Sequence, residues 1–192
     1  MTSPGRMTQQ DWIREGLRVL REEGDQGLTI EVLCRRLERT KGSFYHHFSG
    51  RESFVRELLA YWEEVFTADV IRDLAAFDTP HGRLRELSRR TVRHIDSRLE
   101  RSIRIWGERD PIARVTVDRV DRAREGYLRQ QFELASGAPD DAAVAARAQL
   151  AILVGIQMLY QDSSKEELQR LVDHHHLGPR PPQTSTEQEE SS

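Results

Sequence analysis

The chain has 192 residues, 37% of them apolar and 32% charged, with a formal net charge of -3. That length suits one domain, or a small module joined to a larger one. A mean hydropathy of -0.68 excludes a membrane-embedded protein, and the net charge excludes a uniformly basic nucleic-acid coat, so any anion-binding surface must be local. The single cysteine, Cys34, excludes an internal disulfide framework and a cysteine-based zinc knuckle. Arginine supplies 27 of the 29 basic residues, Lys41 and Lys165 being the only lysines.

Met1 to Thr8 lacks a charged region followed by an apolar run, so no signal peptide is expected. Ile13, Leu17 and Leu20 recur at helical spacing in a first helix that Gly24 should stop. Thr29 can cap a second, whose apolar face is Ile30, Leu33, Cys34 and Leu37; Cys34 thus reads as an inert core residue. A third short helix spans Thr40 to Phe48. Ser49 and Glu52 then have the spacing of a capping box, which should open a long helix carrying Phe54, Leu58, Trp62, Val65 and Val70 to about Asp78.

The second half repeats this pattern on a larger scale. Thr79-Pro80 places a proline at a helix start, followed by a stripe of Leu84, Leu87, Thr91, Ile95 and Leu99. A short segment covers Ile103 to Trp106. Asp110-Pro111 opens a helix ending near Gly137, Asp140 or Asp141 should cap the next, and Ser164 with Glu167 forms a second capping box before Leu168, Leu171 and Val172. The most apolar stretch, Leu150 to Tyr160, is about half of the roughly 20 residues a membrane span needs. No segment alternates at period two for long enough to make a strand, so the chain is all-α. Residues 1–7 and the Pro/Gln/Ser/Thr/Glu-rich residues 178–192 should be disordered.

The chemistry concentrates between Thr29 and Glu52. Two short helices about a tight turn, packed on a first helix, make a helix-turn-helix. From Arg35 to Arg51 there are five cations, Arg35, Arg36, Arg39, Lys41 and Arg51, against Glu38 alone. The third helix bears donors on Lys41, Ser43, Tyr45, His46 and His47, and Gly42 allows close backbone approach.

Residues 8–62 resemble the DNA-binding domain of the TetR family of transcriptional regulators. The resemblance runs through Leu28-Thr29-Ile30 and Leu37, the stretch Thr40-Lys41-Gly42-Ser43-Phe44-Tyr45-His46-His47-Phe48, then Arg51-Glu52 and Phe54. It implies that Thr40 to Phe48 is a recognition helix lying in the major groove, with Thr40, Lys41, Gly42 and Ser43 at the end that reaches base edges and nearby phosphates. It further implies that Tyr45, His47, Arg51 and Thr29 meet the phosphate backbone and that His46 faces bases, while Phe44 and Phe48 belong to the core. The chain departs from the family in the turn, where Glu38-Arg39 replaces the usual glycine and apolar residue. A glutamate there must adopt a left-handed backbone at a cost of about 1 kcal/mol, and it places a carboxylate near DNA that Arg39 offsets.

Residues 79–177 resemble the family's effector-binding and dimerisation half more weakly, through Asp110-Pro111, Val120-Asp121, Arg124 and Arg147-Ala148 to Gly155. The resemblance implies a helix-turn-helix domain over residues 8–54, an effector-binding and dimerisation domain over 55–177, a cytoplasmic homodimer, a pseudo-palindromic double-stranded operator and a small-molecule effector. Candidate effector-pocket residues are Trp62, Phe66, His94, Trp106, Tyr127 and Gln157. Candidate dimer contacts are Leu150, Leu153, Val154, Leu168, Leu171 and Val172, because Val144 to Tyr160 is apolar nearly all round and must bury two faces.

No cofactor or metal is expected. Three consecutive helical residues, His174-His175-His176, point about 100° apart and cannot face one ion. The motifs of serine hydrolases, P-loop nucleotidases, dinucleotide-binding folds and zinc peptidases are missing, so no enzyme is expected. The alternative reading is a helical module that binds a small molecule or a protein without specific DNA recognition.

Overall fold

The computed structural model describes residues 7–94, 96–160 and 162–177, and all its regular elements are helical. The two terminal segments expected to be disordered, beyond Met7, lie outside the described residues, as do the side chains of His94, Val172 and His174 to His176.

Helix α1 spans Gln9–Gly27 and starts at a capping box the sequence reading missed: the Thr8 hydroxyl accepts from the Asp11 amide, and Asp11 accepts from the Thr8 amide at 2.8 Å. The backbone leaves helical geometry at Gly24, with φ 72° and ψ -170°, and resumes to Gly27, so Gly24 kinks the helix rather than ending it. Helix α2 spans Ile30–Arg36 under the expected Thr29 cap, and α3 spans Lys41–His47 under a Thr40 cap. Trp12, Phe44, Phe48 and Phe54 pack edge-on or tilted around Phe44, whose ring centroid lies 5.1–5.5 Å from the other three. At Gly16 a Cβ would stand 2.4 Å from Leu58 Cδ1 and 2.7 Å from Phe54 Cζ, so any larger residue there must push these side chains aside.

Helix α4 (Arg51–Glu63) is capped by Gly50 without a side-chain bond. The expected Ser49–Glu52 box does not form, because Glu52 turns along the helix to Arg56 one turn later. The chain then makes a π-helical turn over Glu64–Ala68, with the Asp69 amide bonded to the Glu64 carbonyl, before α5 (Asp69–Leu74). The long rod therefore stops at Leu74, four residues short of the expected end, and carries an irregularity that periodicity does not reveal.

Helices α6 (Pro80–His94), α7 (Ser97–Gly107), α8 (Pro111–Ser136), α9 (Pro139–Leu159) and α10 (Lys165–Leu177) complete the chain. Asp110 caps α8 with Pro111 in its first turn, as expected. Ser164 and Glu167 form their capping box at α10. At α9 the N-cap is Ala138; Asp140 and Asp141 lie in the first turn, where they favour the helix dipole instead of capping it. One apolar core joins α1–α4 to α7 and α8, through Trp62, Leu99, Ile103, Trp106 and Val120. A second, small cluster of Val92, Ile156 and Leu168 ties α6, α9 and α10. Helix α9 is 21 residues long and, by length and composition, apolar enough to cross a membrane, longer than its most apolar stretch indicates; it packs against α7 and α8.

Candidate DNA-binding surface and effector cavity

The candidate DNA contacts lie at the start of α2, in the turn after it, on α3 and at the start of α4, and each is exposed or half-buried. Thr29 and Thr40 use their hydroxyls as caps, accepting from the Val32 and Ser43 amides at 3.2 Å each. Between them the turn runs through Glu38 at φ 53°, the left-handed conformation expected there. The Arg39 amide bonds the Cys34 carbonyl at 2.9 Å, and Arg39 Nη1 reaches the Glu38 carbonyl at 3.1 Å. Glycine adopts this conformation without strain. Glu38→Gly is therefore expected to stabilise the fold by about 0.5–1 kcal/mol, seen as a higher urea midpoint, the relief being partly offset by the freer unfolded chain.

On α3, adjacent residues divide between core and surface. Phe44 is fully buried, whereas Tyr45 is 55% exposed. Lys41, Gly42 and His46 are exposed, and Ser43 and His47 are half-buried. A Cβ on Gly42 would meet only Thr40 Oγ1, at 3.6 Å, so packing within the chain does not require a glycine there. Arg51 is exposed at the start of α4 and has no ion pair among the described residues.

The cationic patch is smaller than the sequence suggests. Arg36 turns inward to Glu15, Glu22 and Glu23, and the hydrogen bonds it donates to Glu22 and Glu23 raise its pKa further. Lys41 is held by Glu31 of α2; that hydrogen bond raises the lysine's pKa and lowers the glutamate's. Both carboxylates and cations here lie on neighbouring helices, which is why counting charges along the segment overestimates the patch.

The second site is a cavity of about 690 Å³ among the π-helical turn, α5, α6, α8 and α9, within the usual range for small-molecule sites. Its apolar wall includes Phe66, Val70, Leu84, Leu87, Leu128 and Ile152. At its inner end Glu100, 1% exposed, accepts from Trp62 Nε1 at 3.0 Å and from Arg124 at 2.9 and 3.2 Å. Arg124 also donates to Thr67 Oγ1 at 3.1 Å and to the Phe66 carbonyl at 3.3 Å, and its guanidinium lies 5.7 Å from the Trp62 ring centre. The π-helical turn thus sends one of its carbonyls to a cavity-wall arginine.

Of the candidate pocket residues, Phe66 and Tyr127 line this cavity. Trp62 does not; it sits behind the wall as the donor to Glu100. Trp106 is 2% exposed and belongs to the core between α1, α7 and α8, where apolar bulk is needed to join the two halves. Gln157 is fully buried away from the cavity, with neither amide atom hydrogen-bonded among the described residues. Sequence reading missed Glu100 and Arg124 as a pair, since they stand 24 positions apart on different helices.

The candidate dimer residues also separate. Leu153 lines the cavity, and Leu168 packs against Val92 and Ile156 of its own chain. Leu150 and Val154 are half-buried, and Leu171 is 42% exposed. Val144, Leu159 and Tyr160 of the α9 segment are exposed.

A capped tri-helical unit with its third helix displayed, a helix-turn-helix, leads by an interrupted rod into a helical domain with a cavity. Residues 13–58 match the family model of the bacterial regulatory proteins of the tetR family. That match covers the three N-terminal helices and the start of the fourth, and the chain as a whole shares its fold with solved transcriptional regulators. NemR of E. coli in its reduced form superposes with a TM-score of 0.73 at 19% identity, over 88% of this chain and 96% of that one. A protein from Saccharomonospora viridis in complex with choline gives 0.73 at 12% identity, over 86% and 93%. A TerR/AcrR-family regulator from Aquifex aeolicus VF5 gives 0.66 at 18% identity, over 88% and 99%. No curated protein matches the sequence.

Proposed function

We propose that the protein is a cytoplasmic, homodimeric, ligand-responsive regulator, a repressor that leaves its operator when a small molecule occupies the cavity. Residues 8–54 read DNA and residues 55–177 bind the effector and the second protomer. The observation that carries this reading is the single rod formed by α4, the π-helical turn and α5. Its first half packs Phe54 and Leu58 into the helix-turn-helix core, and its second half supplies Val65, Phe66 and Val70 to the cavity wall. A ligand that prefers one position of the second half shifts the recognition helix at the other end, which is a population shift between two states. In a two-fold dimer the half-site spacing is fixed, so a displacement of that kind weakens operator binding. The choline complex of the Saccharomonospora viridis protein supports a small-molecule role for this fold. Exposed Val144, Leu159 and Tyr160 supply apolar surface for a second protomer.

Thr29, Arg39, Thr40, Lys41, Gly42, Ser43, Tyr45, His46, His47 and Arg51 are the proposed DNA contacts. Selection of bound fragments from a random DNA library at near-physiological salt tests the reading. The expected result is an enriched inverted repeat whose affinity falls steeply as salt rises, because bound phosphates release counterions. The Lys41–Glu31 pair and the Glu38 carboxylate favour a second reading, a module without specific DNA binding. A folded dimer that enriches no sequence would establish that alternative.

A further inference from the structure

The charged groups lining the cavity are matched to one another. Glu100 is bound by Arg124 and Trp62. Asp73 and Glu86 are both bound by Arg90, at 2.9 and 3.1 Å. Asp69 is paired with Arg72. Arg124 is committed through Nε, Nη1 and Nη2 to Thr67, Glu100 and the Phe66 carbonyl, so neither arginine offers an open fork for an anion. Arg93 is the cation without a partner among the described residues, and it stands exposed at the rim. A cation that enters as far as Glu100 would have to displace the Arg124 guanidinium from that buried carboxylate.

One fully buried side-chain polar atom of the lining stands outside this pairing among the described residues. The Tyr127 hydroxyl is buried and has no hydrogen-bond partner among the described residues. A buried hydroxyl left unbonded is costly, and a ligand that supplies the partner recovers that cost. Burial also pushes the phenol's pKa up, against the opposing charge of Arg83, so at neutral pH it is a donor.

We propose that the cavity takes an uncharged, mostly apolar molecule carrying a carbonyl-type oxygen, which accepts a hydrogen bond from Tyr127. This rests on the cavity being the effector site. Neutral ligands keep the Glu100–Arg124 and Arg90 pairs intact, whereas a cation meets only carboxylates that are already paired and an anion finds only Arg93, exposed at the rim, unpaired among the described residues.

The test uses the full-length protein with N-phenyl-1-naphthylamine as a neutral fluorescent reporter, displaced by benzophenone, diphenylmethane, diphenylacetate and benzyltrimethylammonium. Benzophenone should displace the reporter at about tenfold lower concentration than either ion, and at about fivefold lower concentration than diphenylmethane, which lacks the oxygen. Tyr127→Phe, checked for an unchanged thermal melt, should erase the margin over diphenylmethane. Ile152→Trp should abolish reporter binding by filling the cavity. Equal or tighter binding of either ion, a margin that survives Tyr127→Phe, or no reporter binding at all would overturn the proposal. Release of the selected operator is measured in parallel. Benzophenone that binds as stated while the operator complex persists would uphold the ligand class and overturn the effector reading. An ion that binds more tightly and releases the operator would do the reverse.

Discussion

Arg124→Ala is expected to destabilise the protein by about 3–5 kcal/mol, lowering Tm on the order of 10 °C, because it strands a carboxylate that is 1% exposed. Glu100 would keep only the Trp62 N–H as a partner, and Trp62 would lose the guanidinium over its ring. Arg124→Lys keeps the charge but not the fork that spans both carboxylate oxygens, so it should recover only part of the loss. The double variant Glu100→Gln/Arg124→Met removes both charges and should be more stable than Arg124→Ala alone, since the cost lies in the unpaired ion rather than in the lost attraction. Urea unfolding of the four proteins checks this. A single variant as stable as the parent would mean that water or another cation reaches Glu100. The same substitution also detaches the π-helical turn from α8, through the Phe66 carbonyl and Thr67, and so loosens the rod that runs from the helix-turn-helix core to the cavity wall.

The second large effect separates two neighbouring residues. Phe44→Ala is expected to cost about 3–5 kcal/mol, because the ring is fully buried among Trp12, Phe48 and Phe54 and no side chain nearby can fill its space. DNA binding should fall with it, as α3 loses the anchor that fixes its orientation. Tyr45→Ala should leave the urea midpoint within about 0.5 kcal/mol and weaken operator binding roughly tenfold with a shallower salt dependence, because the ring is exposed and its hydroxyl is a proposed phosphate contact. Unfolding and DNA titration on both variants distinguish them. Loss of stability in Tyr45→Ala would place that ring in the fold, not at the interface.

The helix-turn-helix was legible because what specifies it is local. The caps Thr29 and Thr40 act on amides three residues later, and the alternation of buried Phe44 with exposed Tyr45 follows from helical geometry. The strained turn was legible only through the resemblance, which places a glycine where this chain has Glu38 at φ 53°; a glutamate by itself does not mark a left-handed position. Where two local signals compete, sequence reading errs: Ser49 and Glu52 have capping-box spacing, yet Glu52 is closer to Arg56 along the formed helix.

The effector half was legible only as helices. Trp106 stood out by size and irregular surroundings, but a large apolar ring is equally suited to the joint between two halves, and that is where it packs. Composition and period determined an all-α chain with a short third helix at a definite place, because caps, breakers and apolar stripes act over three to seven residues. Tertiary structure alone decided that Arg36 turns inward, that Lys41 is held by Glu31, and that Glu100, Arg124 and Trp62 meet at the cavity. Those pairings join positions 10 to 38 residues apart on different helices, and their distances are set by how helices cross, which no local spacing encodes.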